Sequence, residues 1–556
     1  MKPAAPAVAM IGKQRLLLIS LALTLGVLAA LAGTPDAAAS AASPAGASSS
    51  GVLAAGAFAS GAVPSDAPSS GEVSAGALPA GGRIVSGEGN IRYAGGAMTV
   101  EQFTGRMIAD WTSFDIGREA SVTFVQPGPG AVAINRVLGQ DPSRILGSLA
   151  AGGQVFLINP NGIVFGKDAQ VNAGALIAST LQLAEQDFEM GVYRFKAGGA
   201  GAGATGPSSG GGGGGLIHNL GRLEGNVVAL IAPVVRNEGR ISGDAALAAG
   251  TDVTLHLGGD RLIGVRVDAS TLATLVENHG VIASDGGLVV LTARGAGEAL
   301  AGVVNNTGVI EARSLASRDG RILLLGDMQA GAVNASGTLR AGFVETSAAE
   351  VNAASDLVVD TGGGEWVIDP VDIVIDGAKA AAIQTALQSG DVAVTTAAGA
   401  GNPWGANGAG DAAGDIAVRA PITWSSHVLT LRADNNIIIE APLTSTGTAP
   451  SDGLVLKYAQ TTPSGEYVIR APVNLAAGSL FQTQKGSDPA ITYKVIADVE
   501  TLQSIKGDLA GHYALGANID ARATAGWNCD AGAVCFGFEP IGIGSESGFN
   551  GTLEGL

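Results

Sequence analysis

Aromatic side chains are scarce in this chain. They make up 4% of its 556 residues, and charged residues make up only 14%. Aromatic rings supply the largest buried areas in most protein cores. Burial must therefore rest on many small contacts of Val, Ile, Leu and Ala spread along the chain. Glycine, by contrast, supplies 85 residues, about twice its usual share. This composition favours an elongated, repetitive fold.

Positive charge is also in short supply. The formal net charge is -18 at pH 7, and the sequence pI is about 4.7. Binding to phosphate backbones needs a stripe of Lys and Arg, and no stretch of this sequence provides one. We therefore predict no nucleic-acid partner. An anionic membrane surface is disfavoured for the same reason.

Metal-ligating side chains are few and dispersed. Cys529 and Cys535 are the only cysteines, too few for a disulfide framework and without the neighbours of a zinc site. They form at most one short disulfide loop if the chain is exported. No pair of histidines has metal-ligand spacing; the five are His218, His256, His279, His427 and His512. The sequence predicts no metal and no cofactor.

Catalytic patterns are missing as well. No Ser-His-Asp arrangement can be argued from the separations in sequence. The string GAGATG within residues 198–215 matches a dinucleotide fingerprint by letters only, because no strand or helix start surrounds it. Asp369 and Asp372 in WVIDPVDI are the best paired carboxylates. We predict that the chain is not an enzyme, and keep a polysaccharide-degrading enzyme as the less favoured alternative.

The N-terminal segment has the features of an export signal. Lys13 and Arg15 precede the apolar run of residues 16–33, and small residues near Ala39 offer cleavage sites. We predict a signal peptide over residues 1–39. A membrane-spanning helix is the alternative, because the run just reaches spanning length.

A short motif, Asn-x-Gly-x-(Leu/Ile), recurs after the glycine-rich stretch. It begins at Asn219, Asn237, Asn278 and Asn306, and a stretched copy begins at Asn334. Each copy places a turn former and a glycine before a strand start. If the copies stack, the four asparagines form an internal amide ladder. Their irregular spacing leaves isolated turns as an equal alternative. Strands such as DVTLHL, with Val253 and Leu255 on one face, lie between copies.

A second motif, Ala-Pro followed by Ile, Leu or Val, begins at Ala420, Ala441 and Ala471, each time after a charged residue. Pro cannot donate to a sheet ladder, so its recurrence marks one corner of successive coils. Both repeats predict an all-β fold, a right-handed parallel β-helix. One helix is expected, over residues 377–390, where it caps or interrupts the coils.

The stretch VFLINPNGIVFG, residues 155–166, contains one strongly specified turn. Pro160 presets φ for the second turn position, and the Asn159 side chain can accept a downstream amide. Gly162 ends the turn where a side chain would be strained. We therefore expect a tight turn that closes a pair of buried strands.

This turn lies in a segment that resembles the secretion domain of two-partner-secretion exoproteins, the filamentous haemagglutinin-like family. The resemblance rests on residues 108–127 and 131–180, on LEGNVVALIAPVVRNEGRI and on EWVIDPVDI, and extends over roughly residues 82–375. The family hallmark NPNGI is here Asn159, Pro160, Asn161, Gly162 and Ile163. The family's second motif, NPNL, is absent, and Asn135 is its nearest counterpart.

The resemblance implies a function. The N-terminal module would cap the β-helix and engage the POTRA domains of a dedicated outer-membrane β-barrel transporter. The NPNGI residues would serve transporter recognition or folding of the domain. The chain would pass through the periplasm, cross the outer membrane unfolded and fold outside, either secreted or held at the bacterial cell surface.

The C-terminal stretch resembles a repeat of bacterial surface adhesins, through NID at Asn518, the pair Trp527-Asn528, FEPIG at Phe538 and FNGTLEG at Phe549. Because the sequence stops within that repeat, we expect a fragment of a longer protein. We expect an adhesin whose receptor, protein or glycan, lies on a host or bacterial surface. The alternative is a toxin carrier whose effector lies beyond residue 556.

These observations divide the chain into six predicted parts. They are a signal peptide at 1–39; a linker rich in Ala, Gly, Ser and Pro at 40–82; a secretion domain on the β-helix at 83–375 with a Gly-rich insertion at 198–215; a linker with a short helix at 376–410; further coils at 411–510; and the start of an adhesin-type repeat at 511–556.

Overall fold

The computed structural model describes residues 72–198, 215–259, 261–268, 270, 272–295, 301–314, 319–396, 413–531, 534–542 and 548–556. The predicted signal peptide and residues 40–71 of the predicted linker lie outside these ranges. Within them, no helix has the length and apolar character needed to cross a membrane.

Most described strands belong to one sheet, called here the main sheet. Its 25 strands are Arg83–Ser86, Gly89–Ala94, Ala97–Gln102, Arg106–Trp111, Ser121–Val125, Val132–Val137, Ser148–Ile158, Gln170–Ser179, Arg222–Ala232, Arg240–Ala249, Val281–Ala283, Leu288–Ala293, Val309–Ala312, Arg321–Leu325, Thr338–Ala341, Phe343–Ser347, Val358–Asp360, Glu365–Asp369, Asp391–Thr395, Val428–Arg432, Gly453–Tyr458, Leu480–Lys485, Ile491–Ile496, His512–Leu515 and Thr552–Gly555.

Four smaller sheets complete the described fold. The eight-stranded sheet contains Ser143–Ile145, Ile163–Phe165, Leu216–Asn219, Val234–Asn237, Thr274–Asn278, Gly302–Asn306, Ala332–Ala335 and Glu350–Ala353. An antiparallel sheet, the cover sheet, contains Gln182–Leu183, Tyr193–Lys196, Asp252–Gly258 and Arg261–Val267. A four-stranded parallel sheet contains Ile373–Ile375, Ile416–Val418, Ile437–Ile439 and Tyr467–Ile469, and a three-stranded one contains Ile422–Trp424, Leu443–Ser445 and Val473–Leu475.

Helices are short. The α-helices are Glu185–Glu189, Gly377–Ala386 and Val499–Ser504, and the 3₁₀ helices are Ile505–Gly507 and Arg522–Gly526.

The chain winds as a parallel β-helix, as predicted. A strand of the eight-stranded sheet is followed by a strand of the main sheet, and each pairs in parallel with its counterpart in the next coil. One register position of the eight-stranded sheet is almost fully buried in all eight strands. Ser143 fills it in the first strand, and the other seven carry apolar residues there: Ile163, Ile217, Val235, Val276, Val304, Val333 and Val351. Burying each such side chain contributes about 1.5–3 kcal/mol. Stacked aliphatic contacts thus replace the missing aromatic core.

Some strands of the main sheet consist of continuous apolar residues because both of their faces are buried. In Ser148–Ile158, Val155 and Leu157 point into the coil, whereas Phe156 and Ile158 lie in a separate apolar cluster on the outer face. That outer cluster includes Phe195 and other residues of the cover sheet. Strands buried on both faces need continuous rather than alternating apolar residues.

DVTLHL belongs to this cover sheet. Val253 and Leu255 are buried and His256 is exposed, as the alternation predicted. The strand nevertheless pairs antiparallel with Arg261–Val267 in a hairpin outside the coil. Its placement within the repeat was therefore wrong.

The coils begin earlier than predicted. Residues of the predicted linker 40–82 already bond to the first coils: the Ala80 amide donates to the Ser113 carbonyl at 3.0 Å, and the Gly117 amide donates to Ala77 at 2.9 Å. Antiparallel strand pairs at residues 83–111 follow, so this end of the described fold is capped. The linker boundary at residue 82 was placed too late.

The predicted helix forms over Gly377–Ala386. The Asp376 carboxylate accepts hydrogen bonds from the Ala378 and Lys379 amides and caps its first turn. Ile383 and its apolar neighbours are buried against the coils. The next strand, Asp391–Thr395, pairs with strands of the preceding and following coils. The linker predicted over 376–410 is therefore wrong in its described part, where the coil stack continues.

The Ala-Pro motifs mark one corner, as predicted. Ile422, Leu443 and Val473, each directly after the Pro, are in register in the three-stranded sheet. The preceding charged residues form a chain of ion pairs, in which Glu440 lies 3.0 Å from Arg419 and 2.7 Å from Arg470.

Candidate functional site

Asn159 anchors the NPNGI turn from inside. Its side chain is fully buried, and its Nδ2 donates to the Asp141 carbonyl and to Ser143 Oγ, both at 3.0 Å. Its Oδ1 accepts the Asn161 amide at 3.0 Å, which completes an Asx turn. The side chain therefore ties the turn to the preceding coil.

Asn161 and Gly162 shape the outer part of the turn. Asn161 Nδ2 donates to the Gly139 carbonyl at 2.8 Å, although the residue is exposed. Gly162 has a φ of 119°, and a Cβ there would lie 3.1 Å from the Leu216 carbonyl oxygen. Only glycine fits this position without strain.

The sequence suggested that this turn closes a pair of strands, and that prediction was wrong. The strand before it, Ser148–Ile158, lies in the main sheet, and the strand after it, Ile163–Phe165, lies in the eight-stranded sheet. NPNG is therefore a corner between two walls of one coil. Ile163 is fully buried behind this corner.

The corner presents a mixed surface. Pro160 and Asn161 are exposed, and Leu138, next to the Gly139 that receives the Asn161 hydrogen bond, is 66% exposed. The motif thus has two parts. Asn159 is buried and structural, whereas Pro160 and Asn161 are exposed and can contact a partner.

Asn135, the nearest counterpart of the missing second motif, is fully buried. Its Oδ1 accepts the Trp111 indole N–H at 3.0 Å, and its Nδ2 donates to the Phe156 carbonyl at 3.2 Å. These bonds join three successive coils from within.

The structure brings the four repeat asparagines together. Asn219 donates to Asn237 at 2.8 Å, Asn237 to Asn278 at 2.7 Å and Asn278 to Asn306 at 2.8 Å. All four are fully buried. The unequal intervals of 18, 41 and 28 residues do not disturb the register, because the cover-sheet hairpin occupies the longest one.

The stretched copy at Asn334 does not extend this ladder. Its interior slot is taken by Ala335, and Asn334 pairs in register with Asn305 instead. Asn334 donates to Asn305 at 2.8 Å and receives a hydrogen bond from Asn352 at 3.0 Å. This outer amide row was missed; only the pairing register reveals it.

The other singled-out residues lie apart. Cys529 and Cys535 form a disulfide. Asp369 is 2% exposed, and burial, followed by the charge of Glu345, raises the pKa of its carboxyl to about 8. Asp372 accepts the Asp415 amide at 2.8 Å, so it supports the backbone of the next coil.

The histidines are also dispersed. His218 contacts Glu238, His279 contacts Thr307, His427 contacts the Leu387 carbonyl and His512 contacts Thr552. In the described part of the chain, no three His, Cys, Asp or Glu side chains are placed to share a metal ion.

Comparisons with known proteins add to this geometry. Residues 74–341 match the model of the TPS secretion domain. Over 258 residues the chain is 35% identical to a heme/hemopexin-binding protein of Haemophilus influenzae, covering 45% of this chain and 27% of that protein. A second heme/hemopexin-binding protein of that species is 31% identical over 244 residues, covering 41% and 26%. The chain thus spans about a quarter of the length of the curated relatives it matches.

Among solved structures, the HMW1 secretion domain from Haemophilus influenzae superposes with a TM-score of 0.51 at 21% identity, covering 73% of this chain and all of that one. At this identity the likeness shows the shared β-helical fold.

Proposed function

Because this chain belongs to the two-partner-secretion exoproteins through its TPS secretion domain at residues 74–341, we propose that a dedicated transporter exports it across the outer membrane. The partner would be a β-barrel with POTRA domains. The observation that carries the proposal is the match of this domain, with the NPNGI corner at its surface.

The corner has two roles in this proposal. Asn159 holds the domain together through its buried hydrogen bonds, whereas Pro160 and Asn161 contact the transporter. The coils then fold outside, one after another, because each coil needs only its neighbour for its hydrogen bonds. The buried amide ladder forms only as coils stack, which favours outward passage.

The ligand named for the relatives is not part of the proposal. Their names describe heme and hemopexin binding, but the aligned 258 residues make up 27% of the first relative. A stretch of that length corresponds to a secretion domain rather than to a whole binding protein. We propose shared export, not a shared ligand.

The exported chain would act as an adhesin, secreted or retained at the cell surface. The support is the resemblance of residues 511–556 to an adhesin repeat, whose end strands His512–Leu515 and Thr552–Gly555 pair in parallel. A catalytic role is not proposed, since Asp369 is buried and Asp372 supports the backbone of the next coil through the Asp415 amide. Toxic activity of the full-length gene product without adherence to cells would favour the toxin-carrier alternative.

Secretion tests the proposal directly. The full chain would be expressed in a Gram-negative host with and without its cognate transporter, and the medium assayed for the protein. We expect export only with the transporter. Export without it, or retention in both cases, would overturn the proposal.

Single variants separate the two roles of the corner. Asn161→Ala should reduce export while leaving the thermal unfolding midpoint of the purified chain nearly unchanged. Asn159→Ala should reduce export and also lower the free energy of unfolding by about 1–3 kcal/mol, because buried donors and acceptors lose their partner. Asn172→Ala, at an exposed position of a nearby coil, is the matched control. An Asn161→Ala variant that is exported normally would remove the contact role.

A further inference from the structure

A cleft opens where two adjacent main-sheet strands, Arg222–Ala232 and Arg240–Ala249, shift register together. Its volume is about 340 Å³. It is lined by Gly225, Asn226, Gly243, Asp244, Arg261, Ala283, Ser284 and Asp285. None of these residues belongs to the NPNGI corner.

Two glycines form the floor of the cleft. Gly243 has a φ of 115°, and a Cβ there would lie 1.7 Å from the Gly225 carbonyl oxygen. A Cβ at Gly225 would lie 2.6 Å from the Ala173 carbonyl oxygen. A side chain at Gly225 or Gly243 would therefore clash with the backbone, so only glycine fits at either position. Irregularities of this kind commonly re-aim side chains next to functional sites.

A rigid carboxylate stands in the cleft wall. Asp244 is 5% exposed; its Oδ1 accepts hydrogen bonds from Ser284 Oγ at 3.0 Å and the Leu288 amide at 3.2 Å. Its Oδ2 accepts the Leu262 amide at 3.2 Å. Because donors from the cover sheet and from the next coil hold it, this carboxylate is fixed before any ligand arrives.

The cover sheet supplies the facing wall. Arg261 Nε lies 3.6 Å from Asp244 Oδ2, and Arg261 Nη2 donates to the Gly286 carbonyl at 3.2 Å. The guanidinium has five N–H donors, so these contacts leave donors for a ligand. Asn226 and Asp285 are exposed at the rim.

The side chains that line the cleft indicate which class of ligand it can bind. Ala283 is its only apolar side chain beyond the glycines, which disfavours lipids and flat apolar ligands. Two carboxylates against one guanidinium disfavour anions. Hydroxyl groups both donate and accept hydrogen bonds, and they match a wall of carboxylate, guanidinium and amide groups. We propose that this cleft binds a neutral saccharide unit, which Arg261, Asp285 and Asn226 contact and for which Asp244 is a positioning residue.

This inference deepens the proposed adhesin role, on which it rests, by naming a ligand class. Its test is independent of export, because binding is measured on the purified chain whereas export is measured in cells. A failure of one experiment therefore does not imply a failure of the other.

The experiment uses the full purified chain and two sets of probes. The first set is glucose, galactose, mannose and N-acetylglucosamine, and the second is the β-linked disaccharide of each. Saturation-transfer difference NMR detects binding, and isothermal titration measures the dissociation constant. We expect at least one probe to bind. Asp285→Asn and Ala283→Leu should each weaken that binding by about tenfold, the first by removing a charged acceptor and the second by filling the cleft.

Asp319→Asn is the matched control. Asp319 is also exposed and is also followed by a glycine just before a main-sheet strand, but it does not line the cleft. It should leave binding unchanged. Asp285→Asn keeps the test valid if Ala283→Leu impairs folding. Absence of binding by all probes, or binding that Asp285→Asn leaves unchanged, would overturn the proposal.

Discussion

One row of positions on the outer face of the main sheet changes its chemistry along the coils. In register, it contains Phe156, Ile177, Ala229, Ala246, Val290, Leu323 and then Glu345. The first part packs under the cover sheet. At Glu345 the row remains buried but becomes acidic. The same backbone scaffold therefore accepts two kinds of buried outer face, one stabilised by apolar area and one dependent on protonation.

The adjacent outer row also ends on a buried acid, although polar residues occur along it. In register, it contains Ile158, Ser179, Ile231, Ala248, Thr292, Leu325, Ser347 and Asp369. Asp369 Oδ1 is buried without a hydrogen-bond partner among the described residues. The comparison shows that stacking in register fixes burial at a position but not the polarity of the residue that fills it.

The apolar end should give the largest effect. Phe156→Ala leaves a cavity between the main sheet and the cover sheet, where Phe156 contacts Tyr193 and Phe195. We expect the free energy of unfolding to fall by about 3–5 kcal/mol, measured by chemical denaturation. Phe103→Ala, at a position 57% exposed, is the control and should change it by less than about 0.5 kcal/mol. Equal losses in the two variants would break the comparison.

The acidic end should respond to pH. Burial raises the pKa of Asp369 to about 8, and Glu345 adds to this rise, whereas Arg432 opposes it and Asp434 reinforces it. The folded chain therefore holds a proton that the unfolded chain releases at its ordinary pKa. The contribution of this bound proton to the free energy of unfolding is fully present below the pKa of the unfolded chain. It is lost as the pH rises through about 8.

The raised pKa of Asp369 also sets the expected size of the pH effect, and an exposed aspartate provides the control. We expect the free energy of unfolding to fall by roughly 4 kcal/mol between about pH 5 and pH 8, and Asp369→Asn to flatten this fall. Asp356→Asn, at an exposed position, should leave the pH profile as it is. A profile that Asp369→Asn does not alter would show that the buried acid does not titrate as proposed.

The amide rows give the smallest effects. Asn237→Ala removes the middle of the buried ladder and leaves Asn219 and Asn278 without their partner, so we expect a loss of about 1–2 kcal/mol. Asn334→Ala interrupts the outer row, where water replaces the lost bonds, and should cost less than about 0.5 kcal/mol. Thermal and chemical unfolding of both variants measures the difference. Similar losses would mean that burial of the ladder adds nothing.

Much of the candidate site could be predicted from the sequence. The Asx turn at Asn159 and the positive φ of Gly162 follow from local chemistry and are present. That NPNG joins two walls rather than two paired strands could not be predicted, because pairing partners are chosen by other coils. The burial of Asn159 likewise depends on residues of the preceding coil, such as Asp141, 18 positions away.

The sequence by itself determined the elements that depend on neighbouring residues: the repeated turns, the Ala-Pro corner, the capped helix after Asp376 and hence the parallel coil. Tertiary structure decided what depends on distant residues: the placement of DVTLHL in a cover sheet, the shift of Asn334 to the outer row and the burial of Asp369. The physical reason is the two-residue period of a strand. A sequence shows which residues share a face, but only the neighbouring coils and the covering elements decide which face is buried.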